Sequence, residues 1–368
     1  MTRTMEATER ALDIETERTL SPKLRPDGHT LGFGTVFTDH MLLQTYRAGE
    51  GWGAARIAPH APLTLDPAAG ALHYGQSVFD GLKAFRGVDG DVRLFRPDAH
   101  IERLRRSAER LCMPAPDAAA ALRSLRTLVA LEQEWVPSAP DTALYIRPAI
   151  IATEGFLGVR PAREYLYFVI LSPVGAYFPQ GMAPVKILVE DIQVRAVEGG
   201  LGVAKTGANY AASLHAGERA RSAGFSQVLW LDGREHRYLE EVGAMNLMLR
   251  IKDEVVTPPL SGSILPGVTR DCVLTLLRVW GVPVSERPIT IDEVLAASLD
   301  GTLREVWGTG TAAVISPVGE LAYRGVPLTV NRGRTGELTQ RLYDALTAIQ
   351  HGRAPDPYGW MAPVKRDG

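Results

Sequence analysis

The chain has 368 residues, more than a single hydrophobic core usually supports, so the length predicts two domains. Apolar residues make up 45% and charged residues 22%, which is ordinary for a soluble globular protein. The 42 acidic and 40 basic side chains leave a formal charge of −2 without any basic block, so nucleic acid is not an expected partner.

The two cysteines and the apolar runs bear on location. Cys112 and Cys272 lack CxxC spacing, so they predict neither a disulfide framework nor a metal site, and they suit a reducing compartment. Residues 1–25 alternate acids and bases without the apolar stretch of a secretory signal. The most apolar run, 165–178, contains Ser, Pro and Gly and is too short to span a bilayer. We therefore expect a cytoplasmic protein with no membrane partner.

The first half of the chain predicts a loosely ordered arm followed by strands and two helices. β-branched and aromatic residues mark the strands, and Asp98 is the expected cap of a helix whose apolar positions recur at helical spacing. The predicted elements are an arm at 1–28, a strand at 33–42, a short helical turn followed by a strand within 72–86, strands at 92–95 and 142–152, a buried strand with the bend after it at 165–178, and helices at 99–111 and 118–135.

Glycine and proline recur without periodicity at 174–184, which is the strongest linker signal in the chain. We therefore expect a small domain at 29–176, a linker at 177–188 and a large domain at 189–368. In the large domain we predict a helix from about Asn209, strands at 227–231, 238–242, 244–251, 255–257 and on both sides of a turn within 306–314, and helices at 269–280 and 335–349.

Lys205 is the first candidate for chemistry, because it lies between a glycine-rich stretch and a helix start. A phosphate-binding loop is one interpretation, but Ala204 replaces the second glycine in residues 199–206 (GGLGVAKT), and the preceding apolar run ends ten residues before Gly199. A Schiff-base lysine is the second interpretation, and the apolar Val203 and Ala204 favour the neutral amine that it requires. A solvated surface lysine is the third.

Two turns have the form that binds anions. Residues 267–269 open a helix, whose first amides and dipole attract an oxyanion, and residues 308–311 (GTGT) form a candidate nest. The latter turn also fits a loose GxGxxA, but no βαβ unit follows, so a dinucleotide site is a weak interpretation. Of Glu240 and Glu241, which are adjacent on a strand, at most one is expected to face inward, where it needs a cationic partner.

Tyr145 and Arg147 lie two apart in a predicted strand and therefore share one face. An arginine in this otherwise apolar run is either one partner of a salt bridge or a substrate contact. From the local pattern alone, the salt bridge is the better interpretation.

Taken together, these residues closely resemble the branched-chain amino acid aminotransferases, a family of class IV (fold type IV) pyridoxal-phosphate enzymes. The likeness runs from about Phe33 to Trp360 and depends on several blocks in the same order. The blocks are 37–41 (FTDHM), 94–97 (LFRP), 145–148 (YIRP), 175–179 (GAYFP), 205–210 (KTGANY), 227–231 (QVLWL), 241–246 (EVGAMN) and 265–268 (LPGV).

The resemblance implies a two-domain α/β (α+β) fold, with a smaller N-terminal α/β domain and a larger C-terminal pseudo-barrel domain that binds pyridoxal 5'-phosphate. It implies a homodimer that transfers the amino group of L-leucine, L-isoleucine or L-valine to 2-oxoglutarate, giving branched-chain 2-oxo acids and L-glutamate. Lys205 would form the Schiff base, Tyr210 would contact the phenolic oxygen and Glu241 the pyridine nitrogen. The implied phosphate contacts are Arg103, Val268, Thr269 and Thr311, and the implied substrate contacts are Phe33, Tyr74, Phe79, Tyr145, Arg147, Tyr177 and Ala312.

The chain departs from the family pattern in three places. Ala208 stands where some relatives have glycine, and Ala244 where others have threonine. The redox CxxC of some animal relatives falls on Ala313 and Ser316, so no thiol switch of that kind is expected. The remaining alternatives are a D-amino acid aminotransferase or an aminodeoxychorismate lyase of the same fold, an ATPase that uses residues 199–206, and a non-catalytic binding module.

Overall fold

The computed structural model of the protein describes residues 14–177 and 181–365, and the chain divides into two compact units. Unit 1 comprises Met1–Gly175 and Gly359–Gly368, and unit 2 comprises Ala176–Tyr358. Residues 1–13 of the predicted arm, 178–180 of the predicted linker and 366–368 of the predicted large domain lie outside the described residues. The division differs from the predicted one at the C-terminus, where the last residues belong to unit 1.

The described residues contain seven α-helices and nineteen strands. The helices are α1 (Gly70–Tyr74), α2 (Pro97–Arg110), α3 (Ala118–Leu131), α4 (Gly207–Ser222), α5 (Val268–Val279), α6 (Ile291–Leu299) and α7 (Glu337–Gln350). The strands are β1 (Glu15–Thr16), β2 (His40–Arg47), β3 (Gly51–Trp52), β4 (Arg56–Pro59), β5 (Ser77–Phe79), β6 (Leu82–Arg86), β7 (Val92–Phe95), β8 (Ala143–Ala152), β9 (Glu164–Val174), β10 (Val185–Glu190), β11 (Gln227–Leu231), β12 (Leu239–Val242), β13 (Met245–Ile251), β14 (Glu254–Thr257), β15 (Val284–Glu286), β16 (Leu303–Gly310), β17 (Val314–Tyr323), β18 (Val326–Thr329) and β19 (Met361–Pro363).

Unit 1 is built on a ten-stranded sheet in the order β1-β4-β2-β9-β8-β6-β7-β19, with β3 beside β2 and β5 beside β8. The longest pairing joins β8, which is buried along almost its whole length, to β9, where buried and half-buried residues alternate before a buried C-terminal end. The antiparallel pairing of β19 with β7 brings the C-terminal segment back to unit 1. This pairing explains why the domain prediction was wrong there, because a single short strand carries too little pattern to reveal its partner.

α2 and α3 supply much of the core of unit 1. Ile101, Leu104 and Ala108 on α2 are buried, as their helical spacing predicts. The predicted cap was wrong, because α2 begins at Pro97 and the N-cap position is Arg96, in the left-handed region at φ 48°. Asp98 therefore lies in the first turn, where its charge favours the helix dipole without closing a side-chain cap.

Unit 2 contains a nine-stranded sheet that closes on itself. The order β12-β11-β10-β17-β16-β13 returns to β12, because β12 pairs with β13 as well as with β11. β10 is parallel to both of its neighbours, and β14, β15 and β18 extend the ring. This closed ring of six strands confirms the pseudo-barrel expected for the large domain.

The helices of unit 2 cover this ring through apolar faces. Ala216 and Ala220 of α4 pack against Val228 and Trp230 of β11. Ile291, Val294 and Ala297 of α6 recur at helical spacing and join the core of the ring. Within the described ranges, none of the helices has both the length and the apolar character needed to cross a membrane.

Candidate functional site

Lys205 lies at the junction between a tight turn and α4. Asn209 Nδ2 donates to the carbonyls of Leu201 and Ala204, at 2.8 and 2.9 Å, and so ties the preceding turn to the first turn of the helix. At Gly202 a Cβ atom would overlap the backbone carbonyl of Ser263, so only glycine fits that position. These contacts give the residues before Lys205 a positioning role.

The phosphate-loop interpretation of residues 199–206 does not suit this geometry. β10 ends at Glu190, and α4 begins only at Gly207, so the glycines do not connect a strand end directly to a helix start. The apolar shielding expected from Val203 was also wrong, since its side chain is 37% exposed, whereas Ala204 is buried. Ala208 is not fully buried, so its methyl group is accommodated.

The amine of Lys205 forms a hydrogen bond with the hydroxyl of Tyr210, which lies in the first turn of α4. Nζ donates to Tyr210 Oη at 2.6 Å and lies 5.1 Å from the centre of the ring. The spacing of five residues produces this contact, because Lys205 precedes the helix and Tyr210 belongs to its first turn. The lysine is thereby held in one direction, as a nucleophilic amine requires.

Glu241, at the end of β12, is 3% exposed and lines the same pocket as Lys205 and Tyr210. Its Oε1 accepts hydrogen bonds from the Leu265 amide at 2.9 Å and from Asn246 Nδ2 at 3.2 Å. Glu240 is also buried, so the prediction that at most one of the two glutamates faces inward was wrong. The two side chains nevertheless face opposite sides of the strand, and Glu240 does not line this pocket. The pocket therefore joins an amine, a phenol and a buried carboxylate.

Arg195 is a site residue that sequence reasoning missed. Its Nε lies 3.1 Å from Glu241 Oε2, and its Nη2 donates to the Ser263 carbonyl. A buried carboxylate requires a cationic partner, and the sequence argument assigned that role to a pyridine nitrogen alone. The same rule, applied to nearby arginines, could have suggested Arg195, but no spacing in the sequence singles it out.

Three side chains line up across the sheet on the face that carries Glu241. Glu241 of β12 is opposite Asn246 of β13, which is opposite Thr309 of β16, and opposed residues share a face. Thr309 Oγ1 is buried and has no hydrogen-bond partner among the described residues. A polar ligand on that face would supply the missing partner.

The start of α5 lies next to this row. No side chain caps the helix at Gly267, and Val268 and Thr269 follow as its first residues. A Cβ atom at Gly267 would overlap Asn246 Oδ1, so the glycine allows the helix end to approach the row. The amides of the first turn are therefore available in the way the anion-binding prediction requires.

The predicted nest at 308–311 was wrong in its extent. β16 continues through Gly310 and pairs with β17, so Gly308 and Thr309 belong to the strand rather than to a turn. The turn comprises Thr311, Ala312 and Ala313, all half-buried. Thr311 and Ala312 therefore remain predicted contacts, whereas the two-hydroxyl nest does not form.

These residues of unit 2 fit the pyridoxal phosphate that the resemblance implies. A buried carboxylate suits a protonated ring nitrogen, a lysine amine suits an aldehyde, and a helix start without a side-chain cap suits a phosphate. The unpartnered Thr309 hydroxyl adds a donor on the same face. The described part of the chain holds no cluster of three or more His, Cys, Asp and Glu that could bind a metal ion.

In unit 1, Arg103 on α2 is buried and fixed by Asp80. Its Nε and Nη2 donate to the two carboxylate oxygens at 2.9 and 2.8 Å, and His100 Nδ1 lies 2.7 Å from Asp80 Oδ1. Burial alone would raise the pKa of Asp80, but the charge and hydrogen bonds of Arg103, with those of His100, hold it well below its usual range. Asp80 is thus a residue that sequence reasoning missed and that sets the direction of the Arg103 guanidinium.

Four of the predicted substrate contacts meet in unit 1. Arg147 Nη2 donates to Tyr145 Oη at 3.0 Å, its Cζ lies 4.7 Å from the Phe79 ring centre, and the Phe33 and Tyr145 rings pack edge to face at 5.1 Å. Among the described residues Arg147 has no carboxylate within ion-pair distance, and its Nε is buried without a hydrogen-bond partner. The local preference for a salt bridge at Arg147 was therefore wrong.

Tyr74 and Tyr177 are placed differently. Tyr74 is 45% exposed at the end of α1, and its hydroxyl donates to the Leu157 carbonyl. No described contact joins Tyr74 to the Arg147 group. Tyr177 is 37% exposed and belongs to unit 2. The substrate roles predicted for both stay predictions.

Comparisons with known proteins give one consistent result. A sequence profile for "Amino-transferase class IV" matches residues 77–321. The chain is 54% identical over 351 residues to branched-chain-amino-acid aminotransferase 2 of Bacillus subtilis, covering 95% of this chain and 97% of the relative. The structure of the Escherichia coli branched-chain amino acid aminotransferase aligns with a TM-score of 0.74 at 27% identity, over 88% of this chain and 99% of that one.

A further structure shows a bound group. It is a branched-chain amino acid aminotransferase from T.th., complexed with N-(5'-phosphopyridoxyl)-L-glutamate, and it aligns with a TM-score of 0.71 at 25% identity. The alignment covers 88% of this chain and 98% of that one.

Proposed function

The chain belongs to the class IV aminotransferases, among the branched-chain amino acid aminotransferases, and on that premise we propose its reaction and the roles of its residues. The protein transfers the amino group of L-leucine, L-isoleucine and L-valine to 2-oxoglutarate, giving branched-chain 2-oxo acids and L-glutamate. Its cofactor is pyridoxal 5'-phosphate. The observation that carries this proposal is the pocket shared by Lys205, Tyr210 and Glu241.

When bound, pyridoxal phosphate supplies an aldehyde and an electron-withdrawing ring. Lys205 would hold the cofactor through Nζ, and its free amine would move a proton at the substrate Cα. Tyr210, 2.6 Å from that amine, orients it and donates to the cofactor's phenolic oxygen. Glu241 keeps the ring nitrogen protonated, and Arg195 keeps Glu241 charged.

The remaining predicted residues bind and orient. Val268, Thr269 and Thr311 hold the phosphate, with the Arg103 guanidinium as its charged ligand. Phe33, Phe79 and the other predicted substrate contacts accept the branched aliphatic side chain, and Arg147 with Tyr145 accepts the second carboxylate of glutamate. Support for this double role comes from the combination of aromatic rings with a half-buried arginine that has no carboxylate partner in the described part of unit 1.

Assembly and location are further parts of the proposal. The protein acts as a homodimer, as the family resemblance implies, and resides in the cytoplasm. Neither Cys112, which is exposed, nor Cys272, which is buried, forms a disulfide within the described residues, which suits a reducing compartment.

The substrate assay uses purified protein, 2-oxoglutarate and one amino donor at a time, with L-glutamate formation as the readout. L-leucine, L-isoleucine and L-valine are expected to react, and D-alanine is not. Faster turnover of D-alanine would favour the D-amino acid enzymes of the same fold and overturn the proposed substrate class.

The role of Lys205 is tested by Lys205→Ala. Lys186→Ala on β10 is the control, because the Lys186 side chain is exposed and pairs with Glu320 at 3.2 Å, and it does not line the pocket of Lys205. After borohydride reduction, mass spectrometry is expected to find the cofactor fixed to the wild type and to the control but not to Lys205→Ala. Near-visible absorbance and activity should be lost together in that variant. Retention of both would remove Lys205 from the mechanism.

A further inference from the structure

Unit 2 contains another cavity, of about 580 Å³, which is lined by Leu239 and Glu240 of β12 but not by Glu241. It is lined by parts of the segments 197–199, 232–240 and 258–264 together with Pro288. None of these described lining residues belongs to the pocket of Lys205. The cavity is therefore distinct from the proposed transamination site.

Glu240 lines this cavity and has an incomplete set of partners. Its side chain is 6% exposed, Oε1 accepts a hydrogen bond from Ser263 Oγ, and Oε2 has no hydrogen-bond partner among the described residues. Burial raises the pKa of Glu240 to about 7, against the lowering effects of Ser263 and the Arg195 charge. A buried carboxylate oxygen without a donor is explained by a ligand that supplies one.

The charge around the cavity is predominantly negative. Glu198, Asp232, Glu235 and Glu240 line it, against the single cation Arg234. The Asp232 carboxylate already accepts hydrogen bonds from four backbone amides, so the carboxylates open to a ligand are the other three. Across the described residues no group of His, Cys, Asp and Glu has the arrangement of a metal site, so an organic cation fits better than a metal ion.

Much of the remaining wall is apolar. Leu239, Ile264 and three prolines line the cavity, the prolines being Pro258, Pro259 and Pro288. Small-molecule sites typically have this form, with volumes of roughly 300–1,000 Å³, apolar walls and a few fixed polar groups. The ligand therefore needs an apolar body as well as a positive head group.

We propose that this cavity binds a small organic cation with an apolar body, whose amidinium, guanidinium or ammonium group donates hydrogen bonds to Glu240. A planar amidinium or guanidinium suits the carboxylate best, because its N–H groups form a fork. The proposal does not depend on the transaminase reaction, since binding is measured directly.

The cavity is connected to the transamination site by a short series of contacts. Ser263 donates to Glu240 through Oγ and accepts from Arg195 through its carbonyl, and Arg195 forms the ion pair with Glu241. A cation bound to Glu240 therefore affects Ser263, and Ser263 also contacts Arg195, the ion-pair partner of Glu241. Occupation of the cavity is expected to shift the absorbance spectrum of the bound cofactor.

The test titrates the cofactor-loaded protein with benzamidine at pH 8 by calorimetry, because an amidine does not take the place of a substrate amine. The neutral isostere benzamide is the ligand control. Benzamidine is expected to saturate the wild type, and Glu240→Gln is expected to weaken binding about tenfold or more, since the head group loses its charged partner. Glu254→Gln, at the start of β14 and outside the cavity, should leave the affinity unchanged.

A second variant keeps the test decisive if Glu240→Gln folds poorly. Ser261 is an exposed residue that lines the cavity, and its Oγ lies 3.1 Å from Ser263 Oγ. Ser261→Tyr loses that contact but fills the space and leaves the Glu240 carboxylate itself in place. It should abolish benzamidine binding while thermal unfolding and transamination are retained. Equal binding of benzamide, unchanged affinity in either cavity variant, or no saturable binding to the wild type would each overturn the proposal.

Discussion

Arg195 Nε lies 3.1 Å from Oε2 of Glu241, and both side chains are almost completely buried. Two charges removed from water remain ionised only when each neutralises the other. The pair therefore fixes a charged carboxylate at the position where the proposed mechanism requires a partner for a ring nitrogen.

Removal of this arginine tests the pair. Arg195→Met should lower the free energy of unfolding by about 3–5 kcal/mol, because Glu241 is left as an uncompensated buried charge. Urea denaturation measures the change. Arg237→Met is the control, since Arg237 and Asp292 form an exposed pair at 3.3 Å and the expected loss is below about 1 kcal/mol. Equal small losses in the two variants would contradict a structural role for Arg195.

Asp80 offers a parallel test in unit 1. Asp80→Asn retains the shape but removes the charge that holds Arg103 and His100, so we expect weaker binding of pyridoxal phosphate and a lower free energy of unfolding. Equilibrium dialysis and urea denaturation measure the two effects. Asp89→Asn serves as the control, because its ion pair with Arg93 is partly exposed, and its cofactor affinity should equal that of the wild type.

Glu240 predicts a pH dependence of stability. Burial raises its pKa in the folded protein to about 7 from the ordinary 4.5, so between these values the folded state binds a proton that the unfolded state has lost. Stability from this group therefore falls as pH rises through that window. The side chain in Glu240→Gln cannot ionise, so the variant does not lose this stability. The free energy of unfolding of the variant minus that of the wild type should therefore increase by about 1–3 kcal/mol as the pH rises from 5 to 8. Urea denaturation measures both free energies. Equal changes with pH in the wild type and in Glu240→Gln would contradict the prediction.

Gly267 tests the approach of α5 to the row of polar side chains. Gly267→Ala places a Cβ atom on top of Asn246 Oδ1, so the helix start or Asn246 must move, and the affinity for pyridoxal phosphate should fall. Equilibrium dialysis measures the loss. Gly217→Ala in α4 is the matched control, because its Cβ meets nothing within 4 Å and the change should stabilise the helix by about 0.5–1 kcal/mol. Wild-type cofactor affinity in Gly267→Ala would show that the close approach has no functional role.

Arg147 tests the recognition of the two substrates. Arg147→Met should raise KM for 2-oxoglutarate about 100-fold, with a much smaller effect on L-leucine, because only glutamate and 2-oxoglutarate bring a second carboxylate. Tyr145→Phe removes one neutral hydrogen bond and should raise KM for 2-oxoglutarate about 2–10-fold. Steady-state kinetics with each substrate varied in turn measures both. A parallel rise in KM for both substrates would contradict a carboxylate-specific role.

Local patterns predicted most helices and strands, and their errors have local causes. The strand predicted at 33–42 begins only at His40. Residues of high β propensity form a strand only where neighbouring strands pack against them, so propensity alone does not fix where the strand starts. α6 was not predicted, although Thr290 Oγ1 accepts from the Glu293 amide in the capping pattern that starts many helices. That signal was present in the sequence and could have identified the helix.

The roles of individual site residues were harder to predict from the sequence than the helices and strands. The local pattern singled out Lys205 and the pair Glu240 and Glu241, and the family resemblance then selected Glu241 and the Schiff-base role of Lys205. Neither gave a reason to choose Arg195 or Asp80 among 40 basic and 42 acidic side chains. The anion-binding turn at 308–311 was wrong because the amides of Gly308 and Thr309 are already used in sheet pairing. Pairing of that kind depends on strands far away in the chain.

The sequence alone determined the family, the cofactor class, the lysine and the two-domain α/β fold, because these depend on residue types in a fixed order. Only the tertiary structure decided which charges meet. The closed ring places Glu241, Asn246 and Thr309 side by side on β12, β13 and β16, and it leaves Glu240 in a separate cavity. Long-range strand pairing brings these groups together, and burial then fixes their charge, since a group removed from water is stable only beside its partner.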